Sequence, residues 1–147
     1  MRLPEWEIEE AVFNNPSLAE TPGSLTELKI IARQEYLPSI NGYIDILGRV
    51  ADRYVIIEIK SGIVGTLSPI RDQLFAYRKA FCEERNQRPT DVLCVLLAQD
   101  FREEVREFAE SNGVHLKKVA WEDIVASRPT GKAGITKLGG YERTSRL

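Results

Sequence analysis

Three residues stand where a hydrolytic centre could be built: Asp45, Glu58 and Lys60. They sit in the stretches Tyr43-Ile44-Asp45-Ile46-Leu47 and Ile57-Glu58-Ile59-Lys60, both otherwise apolar. Side chains alternate along an extended strand. Glu58 and Lys60 therefore point together, and Ile57 and Ile59 point the other way. On a neighbouring strand, alternation sets Asp45 opposite to Ile44 and Ile46. Pairing the two strands brings Asp45 beside Glu58, so that two carboxylates and one ammonium meet at the end of an apolar sheet. Charges placed among isoleucines are costly unless they neutralise one another or hold a cation. A pair of acids suits Mg²⁺, which takes oxygen ligands and keeps several waters, with Mn²⁺ as the alternative. Such an ion polarises a phosphodiester and lowers the pKa of an attacking water. A neighbouring ammonium orients that water or stabilises transition-state charge. The plainer alternative is that Asp45 caps a turn and that Glu58 and Lys60 form an ordinary surface pair.

The elements that must position these residues follow from hydrophobic periodicity. A short helix begins near Pro4, with Glu5 and Glu7 at its positive end and Ile8, Ala11 and Val12 on one face. Asn14-Asn15-Pro16 interrupts it, and Thr21 to Ser24 reads as a loop. Three strand-like runs follow: Leu25 to Glu35, Tyr43 to Leu47 after the turn Asn41-Gly42, and Tyr54 to Lys60 after a turn around Arg49 to Arg53. Their closeness in sequence predicts an antiparallel meander. Ser68 and Pro69 look like the cap and first position of a long helix, with Ile70, Leu74, Tyr77 and Phe81 toward the core. The run Val92 to Ala98 is continuously apolar, as in a strand buried on both faces, and is expected to lie parallel to its predecessor. Asp100 and Glu103 form a capping-box pattern for a helix carrying Phe101, Val105 and Phe108. Val114 to Val119 reads as a short edge strand, and Trp121 to Ala126 as a final helical turn or two. The expected fold is α/β: a central mixed sheet, part meander and part helical crossover, flanked by helices.

The 147 residues fit one ordinary domain, assigned to 1–128, followed by a basic, glycine-rich segment over 129–147. That segment has few core-forming residues and reads as a flexible tail, or alternatively as a DNA-contacting arm. A hydrophobic share of 43% supplies a core without staples. The two cysteines, Cys82 and Cys94, have no metal or disulfide spacing and read as reduced structural thiols. No membrane span and no signal-peptide h-region is present, so a cytoplasmic protein is expected. The net charge of −2 argues against strong nonspecific nucleic-acid binding by the chain as a whole, while leaving room for a local basic surface.

Other residues add to the three. Gln73 and Tyr77 are four apart on one helical face directly after the strand of Glu58 and Lys60. Each taken alone reads as core. Glu9 lies in the first helix. His115 is the single histidine, which argues against sites built on several histidines. Arg71, Arg78, Lys79, Arg85 and Arg88 surround the long helix, either as a solvated face or against phosphates. Trp6 and Trp121 read as packing residues. Gly62 and Gly65 read as a flexible strand-to-helix turn, since no P-loop lysine follows.

In this order, the helix with Glu9, Asn15-Pro16, Ile44-Asp45-Ile46-Leu47, Glu58-Ile59-Lys60 and Gln73-x-x-x-Tyr77 resembles the RecB-like branch of the PD-(D/E)XK nucleases. Within it, the resemblance is to the catalytic domain of NucS-type mismatch endonucleases, over about residues 4 to 98. The resemblance implies a Mg²⁺-dependent deoxyribonuclease, most naturally an endonuclease in DNA repair or defence. It implies that Asp45, Glu58 and the Ile59 carbonyl hold the metal and that Lys60 positions the water. Glu9 would support the site, with Glu5 and Glu10 as competing choices. Gln73 and Tyr77 would line it. Arg33, before Gln34-Glu35-Tyr36, would also face the site; Arg33, Arg71 and Arg78 are the candidates for nucleic-acid contact. DNA is the implied partner, with a DNA-targeting protein and a second copy of the chain as further partners. The chain lacks room for the separate N-terminal DNA-binding domain of NucS, so mismatch specificity does not follow. A noncatalytic DNA- or protein-binding module on the same fold is the rival reading.

Overall fold

The computed structural model describes residues 2–128. The segment expected as a tail, 129–147, lies outside them. Helix α1 (Glu5–Asn14) is followed by a 3₁₀ turn (Pro16–Ala19) and three strands, β1 (Lys29–Leu37), β2 (Gly42–Val50) and β3 (Arg53–Ile59). After a two-residue strand β4 (Ile63–Val64), a π-helical segment (Pro69–Leu74) runs into α2 (Phe75–Arg85). The chain then forms β5 (Val92–Ala98), β6 (Asp100–Phe101), α3 (Glu103–Ser111), β7 (His115–Lys118) and α4 (Trp121–Ala126).

The expected mixed sheet is present, with strand order β1-β2-β3-β5-β7. The meander β1-β2-β3 is antiparallel, and β3, β5 and β7 run parallel. Burial follows from this layering. Leu74 and Phe81, with Val105 and Ala109 of α3, cover one face through Leu47, Ile56, Cys94 and Leu96. Ile8 and Val12 of α1, with Ile124 of α4, cover the other through Ile46, Val55, Ile57 and Val95. Strand β5 is buried on both sides because it lies in the middle of the parallel half, as its unbroken apolar run requires. Both cysteines are buried and free, Cys82 on α2 and Cys94 on β5.

Gly48 lies against Leu28, just before β1, and Lys29, the first residue of β1. A Cβ there would stand 2.7 Å from Leu28 Cδ1 and 2.9 Å from the Lys29 carbonyl oxygen. The carbonyl belongs to the paired backbone and cannot move aside. Gly48→Ala is expected to destabilise the fold by about 1–3 kcal/mol. Urea unfolding would show this as a lowered midpoint with an unchanged slope.

Several local expectations are corrected. Ser68 makes no side-chain cap bond, and the helix opens with π-type turns rather than a capped α-helical start. Asp100 is not a helix cap. It lies in β6, and its Oδ1 accepts bonds from the Phe101 N–H at 2.8 Å and from Arg106 at 2.9 Å, while Arg102 precedes α3. The Gly62–Gly65 turn holds β4, which pairs in parallel with β6. Trp6 is 69% exposed, so only Trp121 of the two tryptophans packs on the core. Among the described residues, no helix is long and apolar enough to cross a membrane.

Candidate active site

Strand β3 places Glu58 between Ile57 and Ile59, which both pack under α1, while Glu58 itself faces the α2 side with Ile56. Pairing of β2 with β3 matches Leu47 to Ile56 and Ile46 to Ile57. One further step of that register sets Asp45 level with Glu58. The Asp45 carboxylate reaches across, and its Oδ2 accepts a 2.8 Å bond from the Ile59 N–H. Lys60 follows the end of β3, and its Nζ stands 3.2 Å from Glu58 Oε2. Its own N–H donates to the Leu97 carbonyl of β5 at 3.0 Å, which fixes the base of the side chain. Asp45, Glu58 and Lys60 thus converge at the carboxyl end of β3.

Strict alternation does not describe how Asp45 gets there. It requires Ile44 and Ile46 on one face, yet Ile44 joins the cluster under α2 and Ile46 the cluster under α1. The partner strand shows the same reversal: Ala32 and Leu37, five residues apart, both meet the α2-side cluster. Between them Gln34 has φ +49°, a left-handed conformation costly for a residue with a Cβ. The ladder stays paired on either side, Arg33 with Ile46 and Glu35 with Ile44. The facing of both strands therefore changes at Gln34 and Asp45.

That conformation aims Gln34 at the acids. Its Nε2 donates to Glu9 Oε1 at 2.7 Å and to Asp45 Oδ1 at 3.3 Å. Glu9 is held from its other side by Arg33, whose Nε donates to Oε2 at 3.0 Å. Arg33 also pairs with Glu10 at 2.9 Å and lies 4.8 Å from the Phe13 ring centroid. Glu9 therefore connects to Asp45 through Gln34, a residue that the sequence marks only as the neighbour of Arg33. No periodicity signal points to it, because its role depends on a backbone reversal.

Glu58 is 5% exposed, the one charged residue among the described residues to be fully buried. Burial is the largest influence on its acidity, followed by the Asp45 charge, and together they push the carboxyl up to about 8 against the pull of Lys60. Burial likewise raises Asp45 to about 6, opposed by the Ile59 N–H. Glu58 Oε1 has no hydrogen-bond partner among the described residues. A buried, unpartnered carboxylate oxygen beside a second desolvated carboxylate fits a divalent cation, which would supply the missing partner. The donors able to hold one are Asp45, Glu58 and the Ile59 carbonyl, with water completing the set. Among the described residues no three His, Cys, Asp or Glu side chains converge to enclose an ion by themselves. An open, partly hydrated position is what a catalytic magnesium uses.

On the α2 side, burial and then the Glu58 and Asp45 charges raise the Tyr77 phenol, so this side chain borders the acids. Its ring also limits the β1-β2 turn, for a Cβ on Gly42 would lie 3.2 Å from Tyr77 Cε1. Gln73, in the π-helical segment, buries its Oε1 without a partner. π-Type turns recur at functional sites because they re-aim side chains. The remaining basic candidates, Arg71 and Arg78, have local partners of their own. Arg71 pairs with Asp72 at 3.3 Å, and Arg78 lies 4.9 Å from the Phe75 ring centroid in a groove with Cys82 and Pro89. His115 lies on β7, half-buried, with its imidazole pKa lowered by burial and then by Arg53.

Comparison with known proteins bears on the family and the fold. A family model described as the endonuclease NucS C-terminal domain matches residues 4–135. Among solved structures, one described as an EndoMS-dsDNA2 complex superposes with a TM-score of 0.63 at 28% identity, covering 78% of this chain and 44% of that one. A repair endonuclease from Pyrococcus abyssi gives a TM-score of 0.64 at 23% identity, covering 80% of this chain and 47% of that one. EndoMS in its apo form gives 0.61 at 26% identity, with 80% and 46% covered. The chain thus spans less than half the length of these three relatives. No curated protein sequence matches it significantly.

Proposed function

We propose that this chain, which belongs to the endonuclease NucS C-terminal domain family, hydrolyses DNA phosphodiester bonds with Mg²⁺ or Mn²⁺ at Asp45, Glu58 and Lys60. The observation that carries the reading is the burial of Glu58 with an unpartnered oxygen, beside Asp45 and 3.2 Å from Lys60. A purely structural ion pair would gain little from such an arrangement, since desolvation offsets the attraction.

When bound, the divalent ion supplies Lewis-acid polarisation of the phosphate and a more acidic water. Asp45 and Glu58 would hold it through their carboxylates, with the Ile59 carbonyl as a further protein oxygen. Holding the ion would require the Glu58 carboxyl, raised to about 8, to give its proton to solvent. Lys60, 3.2 Å from Glu58, would orient the attacking water and stabilise the charge that develops on the phosphate. Gln34 keeps Asp45 turned toward the site, with Glu9 and Arg33 fixing Gln34 in place. Tyr77 and Gln73 close the α2 side and limit the entry of bulk water.

The EndoMS-dsDNA2 structure is a complex with double-stranded DNA, and the Pyrococcus abyssi protein is described as a repair endonuclease. These descriptions favour duplex DNA as substrate and a repair role. Single-stranded, duplex, mismatched and branched DNA should be incubated with the protein in Mg²⁺ or Mn²⁺, beside Asp45→Ala and Lys60→Ala. Cleavage of one of these DNAs, lost in both variants, is the expected result. DNA binding without cleavage of any of them would replace this reading with the noncatalytic module.

A further inference from the structure

The carboxyl ends of β3 and β5 carry a second group of features that the acidic centre does not use. Gln99, between β5 and β6, ties three segments together. Its Oε1 accepts the Leu3 N–H at 3.0 Å and the Gly62 N–H at 3.2 Å, and its own N–H donates to the Gly62 carbonyl at 3.1 Å. Leu3 is buried, so the residue before it is anchored at this edge. Arg2 accordingly lies across Gly62, and its Nε donates to Ser61 Oγ at 3.0 Å. A Cβ on Gly62 would come 3.5 Å from that Nε, and Gly62 has φ +69°.

A similar arrangement recurs three residues along. The Arg102 N–H donates to the Val64 carbonyl at 3.0 Å, which extends the pairing of β4 with β6. The Arg102 side chain lies over Gly65, where a Cβ would stand 2.9 Å from its Nε and 3.1 Å from its Cδ. Both arginines are exposed, and among the described residues neither is paired with a carboxylate. In contrast, Arg33, Arg71, Arg85, Arg88 and Arg106 are each bound to an acid. The side chains of Arg2 and Arg102 thus lie over glycines without a carboxylate partner among the described residues, with Ser61 directly after Lys60.

We infer that Arg2, Ser61, Gly62, Gly65 and Arg102 form a binding site for the DNA sugar-phosphate backbone beside the phosphate to be cut. The substrate class is duplex DNA read through its phosphates rather than its bases. Planar guanidinium groups suit phosphate oxygens, and the missing side chains of Gly62 and Gly65 let the two arginines lie close against the main chain. The inference rests on the proposed nuclease reading for its location but not for its test.

The test measures duplex binding by fluorescence anisotropy over a range of salt, in Ca²⁺ so that binding is read without cleavage. Arg2→Ala, Arg102→Ala and their combination are compared with the unaltered protein and with Arg49→Ala, which lies at the opposite end of the sheet. For every phosphate that a variant no longer neutralises, the slope of log affinity against log salt should flatten by about 0.9, and in the double variant by about twice that. Arg49→Ala should leave the slope unchanged, and circular dichroism should show all variants folded. Failure of the unaltered protein to bind DNA overturns both readings. Binding with the same slope in the double variant overturns this inference alone.

Discussion

Glu58→Gln is expected to leave the protein inactive yet, in the absence of metal, more stable than the original. Glu58 titrates at about 8 in the folded protein against an ordinary value of 4.5. The folded state therefore holds a proton that the unfolded chain has released over that window. Stability is fully present below the unfolded value and falls as pH rises through about 8. Asp45, raised to about 6, acts in the same direction at lower pH. A tenfold difference in proton affinity between the folded and unfolded states is worth about 1.4 kcal/mol. The metal-free protein should therefore lose several kcal/mol between roughly pH 5 and 9. Glutamine keeps the shape and removes the charge, so most of that loss should vanish. Thermal melts in EDTA across this range measure it directly. Adding Mg²⁺ at roughly pH 9 should restore the original protein and leave Glu58→Gln unmoved. Cleavage by the variant should fall by about a hundred- to a thousandfold, as expected when a group acting at the transition state is removed. A variant less stable than the original at that pH without metal would mean that the buried carboxylate is structurally satisfied.

Gln34→Gly carries the second large effect, and it separates backbone from side chain. Glycine accepts φ +49° without strain, so relief of the left-handed conformation, about 1 kcal/mol, should offset the lost hydrogen bonds. Stability should therefore hold within about 1 kcal/mol. Asp45, however, loses the amide that joins it to Glu9. Removing a group that orients a metal ligand typically costs about 10–100-fold in metal affinity or activity. Isothermal titration with Mn²⁺ should show the loss, and saturating metal should recover much of the cleavage rate. Unchanged Mn²⁺ affinity would make the Gln34 contact incidental.

How much of this could be read from the chain depended on which physical rule governed each element. The unbroken apolar run Val92 to Ala98 reads as a strand covered on both faces, and β5 is one. The Glu58-Ile59-Lys60 spacing placed the acid and the amine together by simple alternation, because β3 is regular. Alternation failed at Asp45. Its neighbours Ile44 and Ile46 enter different cores, through a reversal that no propensity of Gln34 announces. Glu9 was placed at the site by resemblance, but its route to Asp45 through Gln34 was out of reach for the same reason. Asp100 misled because a capping-box pattern is local, whereas its actual partners, Arg106 and Lys118, meet it only in the folded protein. The two-residue strands β4 and β6 are too short for periodicity to register. Yet they set Arg102 over Gly65, and that placement cannot be inferred from glycine spacing alone.

Strand β1 has a further consequence, concerning the molecule in a crowded solution. It is a nine-residue border of the sheet bearing exposed Ile31 and Tyr36, the type of margin along which chains can zip into fibrils. The register slips between Ile30 and Ala32, and the chain turns left-handed at Gln34, so the free amides do not form an even row. A second strand docking there would lose its rhythm within a few residues. The kink that aims Gln34 at the acids thus also guards the protein against self-templating, and straightening it would expose a hazard as well as blunt the chemistry.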